Sequence, residues 1–101
     1  MRLVIPLVLV LALATPALAA TRQVDIANFN FSPPTLSVPA GTTVQWTNTD
    51  DEPHTVTARD RSFHSGALDT SGKFAFTFAK PGVYAYFCSL HPHMTGQVVV
   101  K

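Results

Sequence analysis

Residues 20–101 predict an all-β domain, a sandwich or small barrel of short strands. Three observations lead there. No window in that stretch carries a helical period. Short alternating runs are separated by Pro33-Pro34, Pro39-Ala40-Gly41 and Lys80-Pro81-Gly82, residues that end or turn a strand. The clearest run, Lys73 to Phe78, points Phe74, Phe76 and Phe78 one way and Lys73, Ala75 and Thr77 the other. Aromatics gathered on one face of a strand belong to a core.

The chain begins differently. Met1-Arg2 is a short positive start, Leu3 to Ala14 is apolar, and Ala17-Leu18-Ala19 is a small-x-small pattern. Residues 1–19 therefore read as a secretory signal peptide cut between Ala19 and Ala20. The apolar run is shorter than the roughly 20 residues of a membrane-spanning helix. The expected product is a single exported domain, residues 20–101, periplasmic and not membrane-spanning. Loss of Arg2 leaves six basic residues against six acidic ones, and no basic stripe suggests nucleic acid.

The strands follow in order. Gln23 to Phe29 alternates and opens the domain. Asn30 to Pro34 reads as a turn, because two prolines remove two backbone donors. Thr35 to Val38 is a second strand. Thr42 to Asn48 is a third, rich in β-branched residues, with Val44 and Trp46 on one face. Thr49 to Pro53 is a polar loop, and His54 to Ala58 a fourth strand with His54 at its entry. Arg59 to Gly72 has no clean period and reads as a long connection with one short strand around Phe63. Lys73 to Phe78, Val83 to Phe87 and Thr95 to Val100 complete the set.

The chemistry lies between the last two strands, in Cys88-Ser89-Leu90-His91-Pro92-His93-Met94. The only cysteine, a histidine and a methionine follow one another at three-residue intervals on a loop. A single cysteine excludes an internal disulfide, so in an exported protein it is a reactive thiol, an intermolecular bridge or a metal ligand. Thiolate, imidazole and a weak thioether, completed by a second imidazole, form the ligand set of a blue-copper electron-transfer site. His54 is the candidate for that second imidazole. A Cys-x-x-His pair alone is also compatible with zinc. His64 and His93 read as bystanders, since four ligands are already supplied.

These residues resemble the cupredoxins, the blue-copper family of plastocyanin, pseudoazurin and amicyanin. The markers are Val44-Gln45-Trp46-Thr47-Asn48, Pro53-His54-Thr55-Val56, Pro81 to Cys88, and the loop to Met94. The short Cys88–His91–Met94 interval is of the amicyanin type. The resemblance implies a Greek-key sandwich of about eight strands. It implies one copper ion cycling between Cu(II) and Cu(I), with His54, Cys88 and His91 as strong ligands and Met94 as the weak axial one. It further implies that the Thr55 N–H bonds the Cys88 sulfur and that the Thr55 hydroxyl braces the backbone near Ser89. The implied activity is one-electron transfer through the His91 edge between transiently docked donor and acceptor proteins, by a monomer that is not an enzyme. Pro53, Leu90, Pro92 and His93 would form the docking rim, and His93 would make docking sensitive to pH. Phe87 stands where plant plastocyanins carry a Tyr used in docking, so that mode is not implied here. The competing expectation is a periplasmic copper-delivery protein. That class favours Met-rich or His-rich tracts, and Met94 is the only methionine besides Met1.

Overall fold

A computed structural model describes residues 2–7 and 20–101. The alternating runs become eight strands: β1 (Thr21–Ala27), β2 (Asn30–Ser32), β3 (Thr35–Val38), β4 (Thr42–Asn48), β5 (Thr57–Ala58), β6 (Lys73–Phe78), β7 (Gly82–Cys88) and β8 (His91–Val100). They form two four-stranded sheets, ordered β2-β1-β4-β6 and β3-β8-β7-β5. β1 pairs with β4 and β3 with β8 in parallel, and the remaining ladders are antiparallel. Among the described residues no helix is long and apolar enough to cross a membrane. The proposed leader and its cleavage point fall mostly on residues 8–19, outside the described residues.

Period-two alternation builds the core. β4 buries Thr42, Val44, Trp46 and Asn48 and leaves the residues between them half-exposed. Val24 and Ile26 of β1 and Phe78 of β6 join Val44 and Trp46 from one sheet; Leu36, Val38, Tyr86, Val98 and Val100 face them from the other. Phe74 and Phe76 pack against this core while remaining half-buried, as expected of the aromatic face of β6.

Some strand assignments depart from the sequence reading. The first strand stops at Ala27, and Asn28 and Phe29 turn with φ of 52° and 58°. Asn30 to Ser32, read as a turn, is an edge strand returning along β1, and the prolines stand just past its end, where an edge tolerates them. The strand proposed from His54 shrinks to Thr57–Ala58, while His54 forms an isolated bridge with Leu68. No strand forms at Phe63. That ring plugs the core against Trp46 and Phe78, and the long connection is tied down by the Thr57–His64 and His54–Leu68 bridges. Finally, β8 begins at His91, so the expected seven-residue loop is a tight hairpin with an irregular arm.

Candidate metal centre

β7 delivers Cys88 fully buried at its end, in register opposite His91 across the turn Ser89-Leu90. The next register pair is Phe87 with Thr95, so Pro92, His93 and Met94 bulge opposite a single step of β7. A bulge re-aims side chains. Here Pro92 and His93 stay exposed, while Met94 turns into the core and is 2% exposed.

His54 comes from the other side. Asn48, buried at the end of β4, organises the connection that carries it. Its side-chain amide donates to the carbonyls of Glu52 and Leu68 at 2.8 and 2.9 Å and accepts from the Asp50 N–H at 2.9 Å. Leu68 then bonds the His54 backbone in both directions. His54 is fully buried, with Nδ1 3.7 Å from Cys88 Sγ; His91 Nδ1 lies 3.8 Å from the same sulfur and its ring is half-buried. All three donor atoms lie within 4.8 Å of one another.

Those spacings can be tested against an ion. A thiolate about 2.3 Å and an imidazole nitrogen about 2.0 Å from a shared centre, at a trigonal angle, would lie about 3.7 Å apart. The two sulfur–nitrogen distances match that value, so the donors fit a metal in trigonal array, and the soft sulfur with two imidazoles suits copper.

The surroundings hold the donors in place. The Thr55 N–H donates to Cys88 Sγ at 3.3 Å. The Thr55 hydroxyl accepts from the Ser89 N–H at 2.7 Å and lies 2.9 and 3.0 Å from the hydroxyls of Ser89 and Thr57. Pro53, Leu90, Pro92 and His93 are all exposed. The His93 ring is 6.5 Å from that of His91. His64 lies outside the donor cluster, with Nδ1 3.2 Å from the Thr57 hydroxyl on the surface. The outer face of Phe87 is covered by the Arg59 guanidinium, 4.9 Å from the ring centre.

Two residues of this site were not singled out in the sequence. Asp50 places Oδ2 2.8 Å from His54 Nε2. Phe29 sets its ring edge-on to both imidazoles, 5.1 Å from His54 and 5.1 Å from His91. Burial pushes the Asp50 carboxyl up, but bonds from the N–H groups of Phe29 and Asn28 and from His54 outweigh it and hold the group below its usual value. A carboxyl four residues before the candidate histidine was the available signal for Asp50; nothing local marks Phe29.

A model of the cupredoxin-like domain matches residues 3–100. The chain belongs to the cupredoxin family. This cupredoxin is 34% identical over 88 residues to amicyanin-alpha of Methylorubrum extorquens, an alignment covering 82% of this chain and 74% of that protein. It is 33% identical over 83 residues to the amicyanin of Paracoccus versutus, covering 77% and 63%. Its fold superimposes on a purple cupredoxin from Nitrosopumilus maritimus with a TM-score of 0.76 at 37% identity, over 79% of this chain and 99% of that one. The eight-stranded, two-sheet architecture is the one expected from the sequence resemblance.

Proposed function

We propose that this cupredoxin is an exported one-electron carrier with a single copper ion held by His54, Cys88 and His91 and weakly by Met94. The observation that carries the reading is the asymmetry of the donor set. His54, Cys88 and Met94 are sealed in the protein, and only His91 reaches the surface. Copper bound there supplies a Cu(II)/Cu(I) couple that accepts or gives one electron.

The chain's own residues do the rest. Cys88 loses its proton on binding and presents sulfur as thiolate. The Thr55 N–H withdraws charge from that sulfur and favours the reduced state. The Thr55–Ser89 bonds and the tight hairpin keep the donors from moving when the charge changes. Leu90, Pro92, Pro53 and Phe29 surround the His91 edge with apolar surface on which a partner protein docks. A small contact of that kind suits a carrier that must leave quickly. No residue is assigned a catalytic role. Residues 1–19 act as the export signal and are removed, leaving residues 20–101 in the periplasm as a monomer.

The test uses residues 20–101 with Cu(II) and an oxidant, read by visible absorption and electron paramagnetic resonance. The expected result is an intense thiolate-to-copper band with narrow parallel hyperfine splitting, lost in Cys88→Ala. A pale wild-type protein would remove the shuttle reading and bring delivery or zinc binding forward.

A further inference from the structure

The Asp50 carboxylate touches more than a ligand. Its Oδ1 accepts the Asn28 N–H at 2.7 Å, and its Oδ2 accepts the Phe29 N–H at 2.9 Å while facing His54 Nε2 at 2.8 Å. Asn28 and Phe29 are the two left-handed residues of the β1–β2 turn. Such a backbone is costly for a residue as bulky as Phe and persists only where its surroundings determine it. Phe29, despite being 40% exposed, lays its ring against both imidazoles. One sheet contributes this turn, and the other contributes the hairpin bearing His91.

We propose that Asp50 is a positioning residue that clamps three parts together: the His54 ring, the strained Asn28–Phe29 turn, and, through Phe29, the solvent side of the His54–His91 pair. The clamp fixes His54 in the tautomer that leaves Nδ1 free to face Cys88, because Nε2 must keep its hydrogen to donate to the carboxylate. It also seats a hydrophobic ring over the gap between the imidazoles, where water or a chelator would otherwise enter. The proposal rests on the copper reading for its role in metal retention, but the clamp itself belongs to the metal-free chain.

The test compares Asp50→Ala, Asp50→Asn, Asp50→Glu and Phe29→Ala with wild type. In the metal-free proteins, NMR should show the Asn28 and Phe29 amide signals shifted and faster-exchanging in Asp50→Ala. The ring-current shifts on His54 and His91 should be lost in both Asp50→Ala and Phe29→Ala. Titration with Cu(II) alone should then show affinity weakened about 10- to 100-fold in Asp50→Ala. Phe29→Ala should release copper to a chelator faster while keeping the His54 Nε2–H signal, and Asp50→Glu should restore part of each effect. A side-chain amide offers one oxygen to three donors, so Asp50→Asn gives the same comparison if the alanine variant does not fold. Unchanged histidine signals and unchanged Cu(II) affinity, with only the unfolding midpoint lowered, would overturn the proposal. Wild-type protein that takes up no Cu(II) would overturn the copper reading alone, and the metal-free histidine signals would still decide the clamp.

Discussion

Thr55 shows how much a single residue carries at this site. Its backbone N–H reaches the Cys88 sulfur and its hydroxyl reaches the Ser89 N–H, so it joins the two segments that supply the ligands. Thr55→Val keeps the first bond and removes the second. The Ser89 N–H then turns to water, because Ser89 is exposed, and the expected cost is about 0.5–1.5 kcal/mol, with the visible band retained. Chemical unfolding and an absorption spectrum of one sample check both parts. Met94 acts on the electronics instead. Met94→Leu should keep the colour and raise the reduction potential, because the weak thioether donor favours the oxidised metal; voltammetry reads the direction. Asp50 adds a pH dependence to stability. Its folded pKa is depressed below 3.8, so its contribution is present above that value and is lost as pH falls through the lower folded value. Acid unfolding of the metal-free protein should flatten over that window in Asp50→Asn. His54, Cys88, His91 and Met94 were legible because their chemistry is rare in combination. Asp50 and Phe29 were not, because an acidic loop residue and a strand-end aromatic are ordinary in isolation. Only the fold brings them to the imidazoles.

At the scale of elements, local pattern served best where a strand lies inside a sheet or packs one face along its whole length. β4 and β6 alternate cleanly, and their bounds are those expected from the sequence. The failures lie at edges and ends. β2 and β5 are short edge strands whose pairing depends on a neighbour, not on their own composition. Tyr86 and Gly96 supply the test at this scale. They are paired across β7 and β8, and a Cβ at Gly96 would lie 2.5 Å from the Tyr86 Cζ and hydroxyl. The ring occupies the space a side chain would need. Burial pushes the phenol up to about 12, although the Trp46 indole pulls it the other way, so Tyr86 behaves as a neutral core ring. Gly96→Ala should destabilise the protein by about 1–3 kcal/mol through overpacking. The lost stability should appear in the unfolding midpoint, and the colour should survive, because the bulge that turns Met94 inward lies on the other side of Thr95.

For the whole molecule, the two sheets bring the β1–β2 turn, the β4–β5 connection and the β7–β8 hairpin to one end. A metal bound there joins both sheets, and a ligand that prefers the folded state stabilises it by mass action. Copper at about 1,000 times its dissociation constant should contribute about 4 kcal/mol, and a chelator should lower the melting temperature accordingly. Cys88→Ala should melt at one temperature with or without the metal. Mass spectrometry of the exported protein should find Ala20 at its N-terminus; a retained leader would contradict the proposed processing.

The sequence by itself determined the fold class, the family and the residues proposed as donors, because these rest on local information: a period of two, breakers between runs, and three of the proposed ligands within one hairpin. Tertiary structure decided where His54 stands relative to Cys88, that Met94 turns inward through a bulge, and that Asp50 and Phe29 stand against the imidazoles. Those relations join residues far apart in the chain and depend on strand register and on which sheet each turn caps. A single strand's composition contains neither.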